Sequence, residues 1–130
     1  MYLAYALLGL PVRCVSAMTV AHRNGKNVDG VEDNAVTVMT YPDGAIAVNE
    51  TGFVSGASPM TLEIAGEAGS LLWQGEGVVL RLAGEAPRTL EMLPALRDSL
   101  TAFLQGEAPE ECGMDAAVAL TEMMEMAYGK

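Results

Sequence analysis

Apolar residues at the start of the chain follow the spacing of a helix. Leu3, Leu7 and Leu10 are separated by four and three residues, which places them on one helical face. Gly9 then interrupts the pattern. The spacing predicts a short helix over residues 2–9 that lacks a capping residue before it, as expected of a segment cut from a longer protein.

Strand-like composition follows this helix. Residues 12–21 are rich in Val, Thr and small side chains, which favours a strand, and residues 22–27 read as a polar loop. Two further strand-like runs, residues 35–41 and 45–53, are joined by Pro-Asp-Gly at residues 42–44. Because Pro presets φ and Gly accepts a positive φ, this linker predicts a β-hairpin.

The three-residue loop sets the register of the hairpin. One face then carries four β-branched residues: Val36, Val38, Ile46 and Val48. The other face carries a smaller and mixed set: Thr37, Met39, Ala47 and Asn49. We expect helices to cover the strongly apolar face, and the uncharged mixed face to be a dimer contact.

Period-two alternation predicts a second group of strands. Residues 60–65 alternate between apolar and shorter or polar side chains. Glycine-containing turns at residues 66–69 and 75–77 lead into strands at residues 70–74 and 78–82, and a loop containing proline follows.

Helical spacing returns in the last third of the chain. Pro94 suits the first turn of a helix that Gly106 ends, and its apolar positions are Leu93, Leu96, Leu100, Phe103 and Leu104. A last helix begins near Asp115 and directs Glu122 and Glu125 outward. Its predicted apolar stripe is Ala117, Leu120, Met124 and Ala127.

Strands followed by helices along one chain indicate the α+β class and not an alternating α/β fold. The predicted architecture is an open, predominantly antiparallel sheet with helices on one face. With 130 residues and 51% hydrophobic composition, the chain can bury one core and is too short for two ordinary domains. We therefore interpret residues 1–130 as a single domain.

Charge and cysteine usage exclude several functions. Seventeen acidic and seven basic residues give a net charge of -10, which repels the phosphate backbone of a nucleic acid. Cys14 and Cys112 lie far apart without a C-x-x-C pair, so neither a zinc site nor a disulfide framework is predicted. Two unpaired thiols fit a reducing cytoplasm.

The nearly apolar residues 1–10 leave a secretory signal as an alternative. No Lys or Arg precedes the run, and Pro11 and Arg13 interrupt it early. The run is also far shorter than the ~20 residues of a membrane-spanning helix. A cytoplasmic location without membrane attachment is therefore favoured.

His22 is the one histidine of the chain. A Ser-His-Asp triad or a multi-histidine metal site is consequently not predicted. A solvated loop residue is the simpler interpretation of His22, with a substrate contact as the alternative.

Carboxylates and amides around the hairpin are the other candidates. Glu32 and Asp33 precede its first strand and Glu50 lies in its second, so these carboxylates are expected near one end of the sheet. They fit acid–base chemistry, although ordinary strand-end charges are favoured. Asn34 and Asn49 have the groups to bind a sugar hydroxyl or their own backbone. The candidate substrate-binding residues are His22, Asp33, Asn34, Asn49 and Glu50.

Gly75-x-Gly77 resembles the opening of a dinucleotide-binding fingerprint. Leu80 stands where the third glycine belongs, and no helical pattern follows. A hairpin turn explains the glycine pair better, so no cofactor site is predicted on this chain.

Several stretches together resemble the carboxyl-terminal domain of the GFO/IDH/MocA oxidoreductases. They are residues 31–35 (VEDNA), residues 41–45 (YPDGA), residues 62–71 (LEIAGEAGSL) and the closing helices. The opening MYLAYALLG is similar to the family helix that follows an active-site histidine. The likeness covers the whole chain and depends on the order and spacing of the motifs.

The resemblance implies a parent enzyme that moves a hydride between NAD or NADP and a sugar, polyol or related hydroxy compound. An amino-terminal Rossmann domain would hold the cofactor and a catalytic lysine, while this domain would cover the substrate and form a homodimer through its open sheet. The chain has no full G-x-G-x-x-G and no Glu-Lys-Pro, and the family histidine would precede Met1. No catalytic residue is therefore carried over, and the chain alone is expected to be inactive.

Two alternatives stay open on the same scaffold. One is a non-enzymatic binding or regulatory module. The other is a glycosidase that holds nicotinamide as a tightly bound cofactor.

Overall fold

The computed structural model describes residues 1–19, 32–52, 60–75, 77–91, 99–107 and 113–130. The chain divides into two compact units, Met1–Ser55 with Arg97–Lys130, and Gly56–Leu96. The strands of both units pair antiparallel, and the described helices belong to the first unit, which confirms the α+β class. No helix in the described ranges is both long enough and apolar enough to cross a membrane.

The first unit contains a three-stranded antiparallel sheet of β1 (Arg13–Thr19), β2 (Asn34–Thr40) and β3 (Ile46–Gly52) in that order. Val38 of β2 lies opposite Val48 of β3, which is the register that a three-residue loop predicts. The segregation of side chains between the two faces of the hairpin is therefore confirmed.

Local hydrogen bonds close the hairpin turn. The Gly44 N–H donates to the Tyr41 carbonyl oxygen and the Tyr41 N–H donates to the Ala45 carbonyl oxygen, each at 3.0 Å. The Asp43 carboxylate accepts the Ala45 N–H at 3.0 Å. Gly44 has φ of 88°, a conformation that disfavours any residue with a Cβ. Asp43 and Gly44 therefore serve the turn as their chemistry predicts.

The described residues of this unit form three helices: α1 (Tyr2–Leu8), α2 (Ser99–Leu104) and α3 (Met114–Ala127). α1 ends at Gly9, whose N–H donates to the Tyr5 carbonyl oxygen at 2.7 Å. α2 ends before Gly106, whose N–H donates to the Phe103 carbonyl oxygen at 3.1 Å. The predicted start of α2 lies outside the described residues.

The predicted stripe of α3 is confirmed in part, because Leu120 and Ala127 pack against the core. Ala116, Ala119 and Met123 are buried, whereas Ala117 and Met124 are exposed. α3 contacts β1, and small buried residues such as Ala116 and Ala119 allow close packing of the helix against its neighbours. Glu122 and Glu125 are exposed, as predicted.

The assignment of helices to the apolar face of the hairpin was wrong. α1 and α3 cover the mixed face instead, where Thr37 and Met39 are 3% and 0% exposed. Within the described part of this unit no helix covers the β-branched face, and Val48 is 66% exposed. The mixed face is thus the floor of the core and is not available as a dimer contact. Helices pack on this face because small side chains such as Ala47 leave room for helical residues above them.

The core of this unit is one cluster between the sheet and the two helices. Its buried members are Cys14, Met39, Tyr41 and Met123. Partly buried side chains from α1, α3 and the hairpin pack around them: Met1, Ala4, Tyr5, Ala45, Ala47, Leu120, Met126 and Ala127.

The second unit is a four-stranded antiparallel meander of β4 (Leu62–Gly66), β5 (Gly69–Trp73), β6 (Val78–Leu82) and β7 (Arg88–Leu90). β7 was not predicted, because only three residues after Pro87 pair with the sheet. One face of this sheet carries aligned apolar residues: Leu62, Ile64, Leu71, Trp73, Val78, Leu80, Leu82 and Leu90.

Candidate functional site

A cavity of about 220 Å³ lies in the first unit, on the helix-covered face of the sheet. Its floor comes from the end of β1, the start of β2 and the end of β3, and its upper wall comes from Met1 and the last residues of α3. The polar residues that line it are Glu32, Asp33, Asn34, Thr37, Asn49 and Thr51. Pockets that hold drug-sized ligands measure roughly 300–1,000 Å³, so this one suits a compact ligand.

Strand alternation places the polar groups on the floor of the cavity. Asn49 of β3 lies opposite Thr37 of β2, and Thr51 lies opposite Ala35. These positions share one face because successive side chains of a strand point to opposite sides. The same alternation that buries Met39 deeper in the core therefore brings two hydroxyls and an amide into the cavity.

Hydrogen bonds hold part of this floor in place. The Met1 backbone nitrogen donates to Asn49 Oδ1 at 3.0 Å. The hydroxyls of Ser16 and Thr37 lie 2.7 Å apart and share one hydrogen bond. With its oxygen engaged, Asn49 offers its amide N–H groups as donors to other partners.

Asn34 is placed by a glycine on the neighbouring strand. Gly52 lies directly opposite Asn34, and a Cβ added to Gly52 would collide with Asn34 Oδ1. The absence of a side chain at Gly52 thus provides the space that the Asn34 carboxamide occupies.

The structure brings together three of the candidate residues and separates a fourth. Asp33, Asn34 and Asn49 line the same cavity, together with Glu32. Glu50 lies opposite Val36 on the uncovered face of the sheet and is exposed. The expected group of carboxylates at one end of the sheet therefore comprises Glu32 and Asp33 without Glu50.

His22 lies outside the described residues. Sequence reasoning did not identify Thr37, Thr51 or Tyr128 as cavity residues. The hairpin register carried a usable signal for the two threonines, since they share a face with Asn49. Tyr128 had no such signal, because its position depends on how α3 crosses the sheet.

Metal-ligating side chains and the Gly75-x-Gly77 pair were the sequence features that could have indicated a metal or nucleotide site. No group of three or more His, Cys, Asp and Glu side chains in the described residues could hold a metal ion. Gly75, with φ of 89°, lies in the connection between β5 and β6, which pair as an antiparallel hairpin. A dinucleotide fingerprint needs a strand, a turn and a helix, so this glycine pair does not fit one.

Sequence comparison identifies a family. The family described as the GFO/IDH/MocA C-terminal domain matches residues 1–72, more than half of the chain. No curated protein matches the chain significantly.

Solved structures share the fold at low sequence identity. An inositol dehydrogenase homologue from Azotobacter vinelandii, complexed with NADH and myo-inositol, is 23% identical over 69% of this chain, with a TM-score of 0.57. An aldose-aldose oxidoreductase from Caulobacter crescentus, complexed with glycerol, is 18% identical over 98% of the chain, with a TM-score of 0.69. An oxidoreductase from Agrobacterium radiobacter, in complex with NAD+, L-tartaric acid and magnesium, is 15% identical over 97% of the chain, with a TM-score of 0.68.

These structures are longer than the chain that matches them. The match covers 25% of the Azotobacter protein and 42% of the other two. At these identities the likeness establishes the fold.

Proposed function

Because the chain belongs to the GFO/IDH/MocA C-terminal domain family, we propose that it is the substrate-side and dimerisation domain of an NAD(P)-dependent oxidoreductase acting on a sugar, polyol or related hydroxy compound. The observation that carries this proposal is the cavity that is lined by Asp33 just before β2, by Asn34 at the start of β2 and by Asn49 of β3. The cavity forms one wall of the substrate site, and the rest of the enzyme supplies the reacting groups.

The chemistry of the wall suits a ligand with several hydroxyl groups. Each hydroxyl donates one hydrogen bond and accepts up to two. Asp33 and Glu32 are acceptors when ionised, whereas Asn49 offers donors as well. Hydrogen bonds to a carboxylate are roughly twice as strong as those between neutral groups. A ligand hydroxyl that donates a hydrogen bond to Asp33 would therefore be held in a fixed orientation.

The ligands of the structurally similar proteins support this substrate class. Myo-inositol, glycerol and L-tartaric acid all carry neighbouring hydroxyl groups. Two of those proteins were solved with NAD+ or NADH. In the enzyme proposed here, a Rossmann domain beyond this chain binds NAD or NADP, and the cofactor supplies hydride transfer.

In this proposal, the described residues of the domain bind the substrate and orient it. The Asn49 amide and the Thr37 and Thr51 hydroxyls lie on the rigid sheet, where a ligand is held more precisely than on a loop. Partial enclosure by Met18, Met124 and the Tyr128 ring, together with the sheet, removes water from one side of the ligand.

We further propose that the uncovered sheet face forms a homodimer. Its described apolar residues are Val15, Ala17, Val36, Val38, Ile46 and Val48. A contiguous apolar face of this kind is typical of a protein interface, and a two-fold dimer would bury the same face of both copies. The free thiol of Cys14 is consistent with a cytoplasmic location for the enzyme, because thiols stay reduced in the cytoplasm.

Ligand titration of the ¹⁵N-labelled chain tests the substrate wall. Addition of myo-inositol is expected to shift the side-chain amide signals of Asn49, and Asp33→Asn is expected to weaken the affinity by about tenfold, the effect of roughly 1.4 kcal/mol. Glu50→Gln removes the same charge from the opposite face and should leave the titration unchanged. Unperturbed amides up to the solubility of the ligand would contradict the proposal.

Calorimetry with NAD(H) and NADP(H) tests the proposal that the cofactor binds to a Rossmann domain and not to this chain. The purified chain is expected to bind neither nucleotide, because its glycine pair forms a hairpin turn. Clear binding to this chain would show that the domain assignment is wrong.

A further inference from the structure

The two sides of the cavity differ in polarity. Its polar lining side chains come from β2, β3 and the residues just before β2, whereas α3 and its C-cap contribute Met124, Ala127 and Tyr128. None of these three side chains is charged, and the phenol hydroxyl of Tyr128 is the one strong hydrogen-bonding group among them. A ligand between the sheet and the helix therefore meets hydrogen-bonding groups on one side and mainly apolar surface on the other.

A row of residues across the sheet fixes the polar side. Ser16, Thr37 and Asn49 lie opposite one another on three neighbouring strands, and Thr37 and Asn49 line the cavity. The Ser16 and Thr37 hydroxyls share a hydrogen bond of 2.7 Å, and Asn49 Oδ1 accepts one from the Met1 backbone nitrogen. These bonds hold the row in place, so it receives ligand hydroxyls without rearrangement.

Helical spacing provides the apolar side. Met124, Ala127 and Tyr128 are separated by three and four residues, which places them on one face of the helix. The helical conformation continues to Tyr128, whose N–H donates to the Met124 carbonyl oxygen at 3.0 Å. Met124 and Tyr128 are exposed, so both have surface that a ligand can cover. Apolar ligand surface is stabilised by burial against them, whereas a hydroxyl buried there without a hydrogen bond is destabilised.

Resting on the proposed function, we infer that this cavity distinguishes the two faces of a polyhydroxy ring, and that Met124 and Tyr128 are specificity-determining residues. The ring presents a face of C–H groups to α3. Equatorial hydroxyls at the edge of the ring, or an axial hydroxyl on its other face, bond to the sheet side. An axial hydroxyl on the face towards α3 weakens binding, because it loses water without gaining a partner.

The stereoisomers of inositol form a matched test series, because they share ring size, neutral charge and number of hydroxyl groups. scyllo-Inositol has C–H groups alone on both faces, and myo-inositol keeps one such face beside its single axial hydroxyl. chiro-Inositol has an axial hydroxyl on each face. Since every member is neutral, charges elsewhere on the chain do not distinguish them.

Each inositol is titrated into the chain labelled with ¹⁵N and with ¹³C in the methionine methyl groups. The Asn49 side-chain amide reports contact with the sheet side, and the Met124 methyl group reports contact with the helix side. Both signals are expected to shift. We expect scyllo-inositol and myo-inositol to bind more tightly than chiro-inositol by about fivefold or more.

Four variants locate the source of the selection. Met124→Ala and Tyr128→Ala are expected to bring the affinities for myo-inositol and chiro-inositol together. Tyr128→Phe keeps the ring and should preserve the difference. Met114→Ala removes the same side chain as Met124→Ala from an exposed position on α3 that does not line the cavity, so it should preserve the difference as well. Loss of the difference in Tyr128→Phe would assign it to the phenol hydroxyl and would overturn the inference.

The outcomes separate this inference from the proposed function. If none of the inositols shifted the Asn49 amide, the substrate wall itself would be refuted, and the inference with it. If chiro-inositol bound to the wild-type chain as tightly as myo-inositol, the wall would stand and the selection between ring faces would be refuted. A shift of the Asn49 amide without one of the Met124 methyl group would likewise overturn the inference, because the ligand would not contact α3.

Discussion

Met39 of β2 and Met123 of α3 are the largest fully buried side chains among the described residues, each 0% exposed, and they belong to one cluster. Through this pair the sheet and the last helix share a core. Met is unbranched and polarizable, so it fills the irregular space between a pleated sheet and a helix. The pair therefore couples the stability of α3 to that of the hairpin.

Truncation of either methionine should destabilise the first unit. Met39→Ala and Met123→Ala are each expected to lower the free energy of unfolding by about 2–5 kcal/mol, because a cavity replaces a buried side chain. Urea denaturation followed by circular dichroism measures the loss. Met124→Ala, at a position 51% exposed on the same helix, is the matched control and should change stability by less than about 0.5 kcal/mol. Equal effects of Met123→Ala and Met124→Ala would contradict the assigned helix face.

Gly69 is expected to be required for the second unit. A Cβ at this position would collide with the Arg81 carbonyl oxygen on the adjacent strand, whereas a Cβ at Gly66 would meet nothing within 4 Å. Gly69→Ala should therefore cost about 1–3 kcal/mol. Gly66→Ala, its cross-strand partner, should cost clearly less. The fluorescence of Trp73 in β5 reports the unfolding of this sheet. Indistinguishable unfolding midpoints for the two variants would refute the close approach between Gly69 and the Arg81 carbonyl oxygen.

Stability of the first unit should decline at alkaline pH. Burial raises the pKa of the Cys14 thiol above its ordinary value of 9.0. Burial, and secondarily the charge of Cys14, raises the pKa of Tyr41 above 10.0. The folded chain thus keeps protons that the unfolded chain releases, so this stability is fully present below pH 9.0 and is lost as the pH rises through the folded pKa values.

Urea denaturation across this alkaline range measures the decline. Cys14→Ala removes one of the two groups and should make the decline shallower. An identical pH dependence of the variant and the wild-type chain would assign the effect to other residues.

The uncovered sheet face should control oligomerisation. Val48→Lys places a charge on that face at a position 66% exposed, and is expected to convert a dimer into a monomer in light scattering. Val118→Lys introduces the same charge at a position 55% exposed on α3 and should leave the dimer intact. A wild-type chain that stays monomeric at high concentration would contradict the interface.

Local chemistry accounts for what could be predicted in the candidate site. Pro42, Asp43 and Gly44 specify the turn, the turn specifies the register, and the register places Asn49 beside Thr37. Asp33 and Asn34 were identifiable because they lie at the start of a strand that the sequence made recognisable. These inferences need only neighbours along the chain or across one hairpin.

The sequence by itself determined the α+β class, the hairpin with its two segregated faces, and the family of the domain. Tertiary structure decided which face the helices cover, how α3 is rotated, and which polar residues meet in one cavity. The hydrophobic effect is non-directional. A face of valines is therefore stabilised equally well when helices of the same chain or another molecule remove it from water. Packing of Met39 against α3 settled that choice, and it left Glu50 on one side of the sheet and Asp33 on the other.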